Sequence, residues 1–405
     1  MKTDSDIAII GGGLNGPTLA LALARQGFDV TVIDALPAAE RADRDFDGRA
    51  YALAMASVRL LRRLGVWDGI EDRTQPMLEI KVSDGRAGMG PLSPFSLHFD
   101  HAELEEGPMG HMCEDRVLRP ALLDAMEAEP RISQISGDAV TAQDVDGAGA
   151  TLTLASGKTL RARVIVGADG RASGTAERAG ITRSGWGYDQ TALVCAVQHE
   201  RPHYGIAHQF FMPPGPLAIL PLPGDVSSIV WSERAETAAA FAAMSDENFL
   251  AVLRPRFGDF LGDIALKGRR YTYPLGLSLA SSLIAPRLAL VGDAAHGMHP
   301  IAGQGLNAGL RDVAALAQVL GEARQRGEDA SAPDVLERYQ RWRRFDIAAL
   351  AATTDFSNRL FSNDNPLLRK LRGIGMGAIQ ATAPLRRAMM REAAGLSGDL
   401  PDLMR

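Results

Sequence analysis

Residues 291–312 read VGDAAHGMHPIAGQGLNAGLRD, and glycine occupies five of these positions. The stretch follows a short apolar run, Leu288 to Val291, which predicts a strand that ends just before Asp293. Glycine is unfavourable inside a helix or a strand because it loses the most backbone freedom on folding. The pattern therefore predicts a strand, a tight turn and a new helix from about residue 303, arranged so that the backbone comes close to a ligand.

A second glycine-rich turn lies near the N-terminus, where GGGLNG follows a predicted strand over residues 6–10. A predicted helix over 14–26 and a second strand over 30–34 complete a βαβ unit. In such a unit the glycines let the backbone approach a pyrophosphate, and an acidic residue after the second strand binds ribose hydroxyls. The residues expected to bind a dinucleotide here are Gly11, Gly13, Leu14, Asn15, Gly16 and Asp34. The spacing does not choose between FAD and NAD.

The composition limits the classes of protein to which the chain can belong. Its 405 residues exceed one ordinary hydrophobic core, so we expect two domains. A net charge of −6 argues against a nucleic-acid partner, which favours a basic surface. Two cysteines, Cys113 and Cys195, are too few for a disulfide framework and favour a reducing compartment. The sequence has no apolar run long enough to span a membrane and no signal peptide, so we expect a cytoplasmic protein.

The order of the predicted elements indicates an α/β fold that is interrupted by a second, mainly β domain and followed by helices. Helical periodicity over 49–64 adds a helix to the first domain, and Pro- and Gly-punctuated strands begin near residue 182. The predicted boundaries assign residues 1–75, 102–181 and 282–345 to the nucleotide-binding domain, 76–101 and 182–281 to the second domain, and 346–405 to the helical C-terminal region.

Three stretches identify the nucleotide. DGRAYALAMASVRLLRRLGVW (47–67), GADGRAS (167–173) and the segment 291–312 resemble the FAD-dependent aromatic hydroxylases of the p-hydroxybenzoate hydroxylase type. HPIAGQGLNAGLRD, GPLAILPL at 215–222 and TTDFSNRLFSNDNPLLRKLR at 353–372 are similar to the ubiquinone-biosynthesis hydroxylases within that family. The resemblance covers essentially the whole chain. It implies a Rossmann-like FAD-binding domain with an inserted, mainly β substrate domain and a helical C-terminal region.

The resemblance also implies which residues of the late segment bind the flavin. Gly292 and Asp293 would close over the ribityl chain, with the Asp293 carboxylate accepting a hydrogen bond from a ribityl hydroxyl. The backbone N–H groups of Gly305, Leu306 and Asn307 would face the N1/O2 edge of the flavin. Reduction places negative charge at that edge, and a helix N-terminus stabilises such charge.

Three further residues are expected near the cofactor by the same resemblance. Arg49 would lie by the pyrophosphate and the flavin, where a guanidinium pairs with phosphate oxygens. Arg116 matches another position near the cofactor, although Asp115 and Arg119 beside it also fit an ordinary charge pattern on a helix. Asp169 belongs to a motif that shapes the sites of FAD and nicotinamide. The family arginine of that motif is Ala176 here, so its contribution to nicotinamide binding stays open.

The implied reaction is hydroxylation of a phenol, with FAD as cofactor and O2 as co-substrate, through a flavin C4a-hydroperoxide. Pro300 in the flavin-lining backbone and His299 beside it are the residues expected at the catalytic site, and a structural role for His299 is the alternative. We expect no metal, because His296 and His299 lack a converging third ligand. The chain has no second dinucleotide fingerprint, which leaves NAD(P)H and reduced ferredoxin both open as electron donor.

The expected substrate is a polyprenylphenol, and three expectations about partners follow from it. Residues 365–391 combine apolar side chains with arginines, which suits a peripheral contact at the inner face of a membrane; a packed helix pair is the alternative. A ubiquinone-biosynthesis complex and a homo-oligomer are both left open. Two other functions also stay open: a non-catalytic FAD-binding scaffold subunit, and a hydroxylase of non-prenylated phenols. A prenyl-chain reductase of related fold would reduce its substrate rather than oxygenate it.

Overall fold

The computed structural model describes residues 3–85, 96–299, 303–362 and 366–405, without the side chains of 366–371. Its strands are β1 Ser5–Ile10, β2 Val30–Asp34, β3 Ala50–Ala54, β4 Gln75–Met77, β5 Glu79–Asp84, β6 Ser96–Asp100, β7 Gly110–Glu114, β8 Ile132–Ser136, β9 Val140–Asp146, β10 Gly149–Leu154, β11 Thr159–Gly167, β12 Arg183–His199, β13 Ile206–Met212, β14 Gly215–Leu222, β15 Val226–Arg234, β16 Ile264–Ala280, β17 Ile284–Ala285, β18 Leu288–Leu290 and β19 His296–Gly297. The helices are α1 Asn15–Arg25, α2 Ala38–Arg41, α3 Met55–Arg63, α4 Asp115–Glu127, α5 Gly174–Arg178, α6 Ala235–Ala242, α7 Asp246–Phe257, α8 Gln304–Gln325, α9 Pro333–Phe361, α10 Pro366–Ala381 and α11 Ala383–Ala393.

The first sheet carries the nucleotide-binding topology. Its strands run in the order β17-β18-β11-β1-β2-β8, and β9 and β10 extend it from β11. The central strand β1 pairs in parallel with both β11 and β2. Residues 7–10 of β1 and the end of β11 are apolar and buried, as is usual for parallel strands that are covered on both faces. The turn after β1 and the turn after β18 therefore meet at one edge of this sheet, the edge where α/β folds bind ligands.

The second sheet has eight strands in the order β19-β16-β12-β15-β14-β13-β5-β6. Helices α6 and α7 cover its outer face, where Trp231 and Phe249 belong to one buried cluster. The inner face is turned toward the first domain, and Ala207 and Leu222 pack there with Met77. This arrangement confirms the expected α/β fold with a mainly β inserted domain and C-terminal helices.

One segment differs from its predicted structure. Residues 49–64 were expected to form a helix, but Ala50–Ala54 is strand β3 and only Met55–Arg63 is helical. Strand β3 pairs antiparallel with β7, which also pairs with β4. The hydrogen bonds offered by β7, about sixty residues further along the chain, stabilise the extended form over a segment whose apolar spacing suits either structure.

The C-terminal helices pack against the rest of the molecule through charged side chains. Arg372 is buried, Arg386 pairs with Glu103 at 2.8 Å, and Arg391 pairs with Glu106 at 2.6 Å. Three arginines of the segment 365–391 are therefore engaged by the protein itself. Within the described part of the chain, none of the helices combines the length and the apolar character needed to cross a membrane.

Candidate cofactor and substrate site

A cavity of about 520 Å3 lies where the edge of the first sheet meets the inner face of the second. One side is built from backbone turns and helix starts: residues 13–15 after β1, residues 50–52 and 54 of β3, and residues 303–307 at the start of α8. The opposite side is built from strands β5, β13, β14 and β15. Among the expected cofactor-binding residues, Gly13, Leu14, Asn15, Asp293, Gly305, Leu306 and Asn307 line this cavity.

Glycine is required in the first turn for two different physical reasons. Gly11 has a φ of +113°, and a side chain there would collide with the backbone of Ala168. A side chain on Gly16 would collide with the carbonyl oxygen of Gly11. Gly13, in contrast, has no described protein atom within 4 Å of the position that a Cβ would take. Gly11 and Gly16 therefore hold the turn together, whereas Gly13 leaves open space for a group outside the protein.

The second helix start repeats this geometry. Gly303 precedes α8 with a φ of +65°, and the Cβ position of Gly305 is open in the same way as that of Gly13. Neither α1 nor α8 has an acidic residue in its first turn or, among the described residues, a side chain that caps its N-terminus. The first N–H groups of a helix have no intrahelical acceptor and favour negative charge. Two such helix starts on one cavity fit a dinucleotide that carries phosphates and an electron-accepting ring.

The amide side chains of Asn307 and Asn15 fix the two helix starts. Asn307 accepts hydrogen bonds from the Ala54 N–H and the Ser57 hydroxyl, both at 2.8 Å. It also donates to the Ala52 and Gly303 carbonyl oxygens at 2.8 and 3.0 Å. Asn15 packs against Gly292 and Gly309, where any Cβ would meet its amide. Its Oδ1 is buried with no hydrogen-bond partner among the described residues, so it can accept from a bound group.

Asp34 lies beside the first turn, outside the lining of the cavity. Its Oδ2 accepts from the Gly12 N–H at 2.5 Å and its Oδ1 accepts from the Leu36 N–H at 2.7 Å. Arg41 lies next to it, 4% exposed, and donates to the Ser136 hydroxyl at 2.5 Å. Arg41 could not be predicted as a site residue, because nothing in the charged run around it distinguishes a buried arginine from solvated ones.

A carboxylate between two arginines borders the cavity at β3 and α4. Asp115 accepts from Arg119 at 2.8 Å and from the Tyr51 hydroxyl at 2.7 Å, and lies 3.2 Å from Arg49. Burial opposes ionisation of Asp115, but Arg119 and Arg49 hold its pKa below the usual range. Burial and the Asp115 charge raise the pKa of Tyr51, so Tyr51 remains a hydrogen-bond donor. Tyr51 and Arg119 line the cavity.

Arg116, which was expected near the cofactor, lies outside the lining of the large cavity. It pairs with Glu114 at 2.5 Å, packs over the Phe46 ring and lines a separate cavity of about 300 Å3. Arg119, one helical turn further along α4, faces the larger cavity instead. The sequence shows that this helix carries arginines, but which of them faces the cavity depends on how α4 packs against β3 and β7.

Asp169 has its carboxylate satisfied within its own loop. It accepts from the Ser173 hydroxyl at 2.5 Å and from the Thr175 N–H and hydroxyl at 3.0 and 2.8 Å. Asp169 therefore fixes the start of α5, while its neighbours Ala168 and Arg171 line the cavity. Ala176, at the position where the family pattern has arginine, is 1% exposed.

The turn after β18 is held from behind by a buried ionic cluster. The Asp312 carboxylate accepts from the Gly292 N–H at 3.0 Å, from His296 Nε2 at 2.6 Å and from Arg343 Nε at 2.7 Å. Burial disfavours this charge, yet His296 and Arg343 keep the pKa of Asp312 lowered. Asp293, which follows Gly292, turns the other way into the cavity and lies 3.2 Å from Arg171.

His299 is 1% exposed, and its ring meets the edge of Tyr188 with 5.4 Å between centroids. Neither ring nitrogen has a hydrogen-bond partner among the described residues. Burial, with Arg171 nearby, lowers the pKa of His299 to about 4, so the ring is neutral at physiological pH. The preceding residue, Met298, lines the cavity, and Pro300 lies outside the described residues.

Several known proteins are similar to the chain in sequence. A family model described as "FAD binding domain" matches residues 4–354. The ubiquinone hydroxylase UbiL of Rhodospirillum rubrum is 46% identical over 99% of this chain and 92% of its own length. The 3-demethoxyubiquinol 3-hydroxylase of Escherichia coli is 37% identical over 97% of this chain and 99% of its own. The mitochondrial ubiquinone biosynthesis monooxygenase COQ6 of Homo sapiens is 30% identical, covering 96% and 92%.

Solved structures share the fold. The p-nitrophenol 4-monooxygenase PnpA from Pseudomonas putida superimposes with a TM-score of 0.81 over 98% of this chain and 99% of its own, at 20% identity. PqsL of P. aeruginosa, in complex with 2-aminobenzoylacetate, gives a TM-score of 0.76 over 92% and 99%, at 25% identity. The likeness to PnpA concerns the fold alone.

Proposed function

The chain belongs to the FAD binding domain family and is an FAD-dependent monooxygenase, and from that premise we propose that it hydroxylates the ring of a polyprenylphenol in ubiquinone biosynthesis. The observation that carries the proposal is the two-sided cavity. Two uncapped helix starts form one side, and the apolar residues Ala218, Leu220 and Val230 of the second sheet form the other. The names of relatives such as UbiL support the pathway.

The residues that would hold FAD lie on the first side of the cavity. Gly13 and Asn15 would receive the pyrophosphate at the start of α1, Asp293 would accept a hydrogen bond from the ribityl chain, and residues 305–307 would face the flavin. When bound and reduced, FAD supplies the oxygen-activating chemistry that no side chain provides. The proposal includes the C4a-hydroperoxide route that the sequence resemblance implies, and NAD(P)H or reduced ferredoxin as the electron donor.

The protein's own contribution is to orient the ring and keep water out. The apolar side of the cavity removes a phenolic ring from water, which limits wasteful loss of reduced oxygen as peroxide. Arg49, Arg116, Asp34 and Asp169 remain proposals for contacts with the cofactor beyond the cavity. His299 and Pro300 remain proposals for the edge of the site that faces the substrate.

We also propose that the protein contacts a membrane through apolar residues of α10 and α11 rather than through their arginines. Ile374, Leu385 and Met389 are 62%, 47% and 38% exposed. Leu385 and Met389 lie four residues apart on α11, and Ala393, four residues further, lines the cavity. This stripe on one side of the helix connects the exposed surface with the cavity. Assembly into a ubiquinone-biosynthesis complex or a homo-oligomer stays a proposal.

The test is product analysis with the purified holoenzyme. A 2-polyprenylphenol in detergent or vesicles, an electron donor and 18O2 should give a product that carries one labelled oxygen on its ring. Hydroxylation of short phenols alone would favour the alternative substrate class, and a reduced, unlabelled chain would indicate a reductase. A flavin that neither accepts electrons nor reacts with oxygen would overturn the proposal in favour of a scaffold subunit.

A further inference from the structure

The sheet side of the cavity is mainly apolar, and the polar side chain of Gln209 lies on it. Side chains alternate between the two faces of a strand, and on β13 Phe210 and Met212 point to the outer face, into the cluster formed with α6 and α7. Ala207 and Gln209 therefore point inward. Gln209 lies opposite Ala218 of β14 and Val82 of β5 and lines the cavity half-buried. These two neighbours across the sheet have apolar side chains.

His208, next to Gln209, belongs to the outer face. Its ring lies 4.5 Å from the ring of Phe260, in the region that α7 covers, and its pKa is lowered to about 4 because the ring is buried. His208 is nevertheless among the residues that line the cavity, and apart from Gln209 the others of the second sheet that do so, Ile80, Ala207, Ala218, Leu220 and Val230, are apolar. Within the described part of the second sheet, Gln209 thus provides the polar side chain on the cavity face.

The carboxamide of Gln209 makes no hydrogen bond to any residue that the structure describes. Tyr51, Arg119, Arg171 and Asn307, which line the cavity from the other domain, are each hydrogen-bonded within the protein. A carboxamide that faces a cavity with its donor and acceptor both unused gains most from a ligand that carries a polar atom. The charged side chains that line the cavity, Arg119, Arg171 and Asp293, all belong to the first domain, so the described residues of the sheet side offer no counter-ion to an ionised substituent there.

We propose that the Gln209 carboxamide hydrogen-bonds an oxygen substituent of the substrate ring, and that this side of the cavity selects neutral, oxygen-bearing rings over ionised ones. The inference rests on the proposed function and deepens it by naming the class of substrate. The N–H group donates to an ether or carbonyl oxygen, and the C=O group accepts from a hydroxyl, so one residue serves rings at different stages of oxygenation. A carboxylate on this side would lose its hydration without gaining a partner of opposite charge.

The test compares two probes that differ in one oxygen, 2-allylphenol and allylbenzene, by calorimetric titration of the holoenzyme. Gln209→Leu should weaken the binding of 2-allylphenol by about 3- to 10-fold, the range for one neutral hydrogen bond, and change that of allylbenzene less than about 2-fold. Gln198→Leu is the matched control, since Gln198 is an exposed glutamine of the same sheet. It should leave both affinities at the wild-type value. An equal change for both probes, or none for either, would overturn the proposal.

A second variant distinguishes the loss of the hydrogen bond from misfolding of the protein. Gln209→Met keeps an unbranched side chain of similar length without its hydrogen-bonding groups, and it should reproduce the loss seen with Gln209→Leu. 4-Hydroxybenzoate should bind the wild type at least about 10-fold more weakly than 2-allylphenol, because its carboxylate finds no counter-ion at the sheet. Equal or tighter binding of 4-hydroxybenzoate would also contradict the proposed selection.

Binding without turnover separates this inference from the proposed function. If the oxygen preference depends on Gln209 but no polyprenylphenol is hydroxylated, the proposed function fails and the role of Gln209 stands. If hydroxylation occurs and Gln209→Leu keeps the oxygen preference, the inference alone fails. During turnover, Gln209→Leu should also raise the share of electrons lost as hydrogen peroxide, because the ring is held less firmly.

Discussion

Gly292 and Asp312, twenty residues apart in the chain, are joined by a 3.0 Å hydrogen bond from the Gly292 N–H to a carboxylate that is fully buried. The same carboxylate binds His296 and Arg343. The buried cluster thus positions the turn from which Asp293 points into the cavity, although no member of the cluster lines the cavity itself.

Replacing Asp312 tests how much this cluster contributes to the free energy of unfolding. Asp312→Ala removes the carboxylate that Arg343 and His296 share and leaves the buried Arg343 with Asp346 alone, which should lower the free energy of unfolding by about 3 kcal/mol. Asp334→Ala, on an exposed residue of α9, should change it by less than about 1 kcal/mol. Urea unfolding of both variants measures the difference. Equal effects would mean that the cluster is not an important source of stability.

Two glycines of one turn should respond in opposite ways to the same methyl group. Gly13→Ala fits within the protein but occupies the open space in front of α1, so FAD affinity should fall about 10-fold or more while the apoprotein stays folded. Gly16→Ala collides with the Gly11 carbonyl and should destabilise the fold itself. Flavin release and thermal unfolding, measured on both variants, separate the two effects. Normal FAD binding by Gly13→Ala would show that the cofactor does not approach there.

Arg119 and Arg116, on the same helix, provide a matched pair for the cofactor. Arg119→Met removes a guanidinium from the cavity and should weaken FAD binding by about 10-fold, the worth of one charged hydrogen bond. Arg116→Met, at a contact proposed beyond the cavity, should weaken FAD binding less, by up to about 3-fold, because its side chain lines the separate, smaller cavity. Fluorescence titration of the apoprotein with FAD measures both constants. A larger loss in Arg116→Met than in Arg119→Met would make Arg116 the main arginine that binds the cofactor.

His299 makes the fold sensitive to acid within a defined range. Its pKa is about 4 in the folded protein and near 6.5 in the unfolded chain, so the unfolded chain takes up the proton first as the pH falls. Between pH 6.5 and 4 this difference should cost about 3 kcal/mol of stability. His299→Gln should remove that loss, so its stability relative to the wild type should rise as the pH falls. A difference between the two proteins that does not vary with pH would contradict burial of a neutral ring.

The exposed apolar residues Leu385 and Met389 of α11 predict how the protein binds to a lipid surface. Replacing Leu385 and Met389 together with serine should lower partitioning onto zwitterionic vesicles by about 10-fold or more, since each removes exposed apolar surface. Arg387→Ser, on an exposed residue of the same helix, should leave this partitioning within about 2-fold. Co-sedimentation with vesicles measures both. Binding that depends on Arg387 and on salt would indicate attraction by charge instead.

The sequence predicts those parts of the site that depend on local sterics. The need for Gly16 follows from its close approach to the Gly11 carbonyl within the same turn, which can be deduced without a tertiary structure, whereas the contact of Gly11 with Ala168 depends on the pairing of β1 with β11. The start of α8 near Gly303 was predicted for the same reason. The strand–helix boundary at residue 54 was not, because β3 forms only when β7 pairs with it.

The roles of residues that depend on packing could not be predicted from the sequence. Arg119 and Arg116 are equivalent in a helical pattern until the position of α4 decides which faces the cavity. Gln209 appears in AHQFFM as one polar residue of a strand, and alternation alone does not say which face of the sheet looks toward the cofactor. Helices α6 and α7 also form within the region expected to be β, since their residues cover the outer face of the sheet.

The strands β12 and β16 belong to both halves of the molecule at once. Their first pair is Arg183 with Ala280, and Arg183 also donates a hydrogen bond to the Asp293 carbonyl oxygen at 3.0 Å. Their last pair, His199 with Ile264, lies at the far end of the second sheet. The ladder shifts register at two places, but its strands form one supersecondary unit, and such a unit tends to open cooperatively. The ribbon therefore makes cofactor binding and substrate binding parts of one cooperative folding reaction. The free energy gained when FAD binds would therefore also stabilise strands of this sheet that do not contact the cofactor.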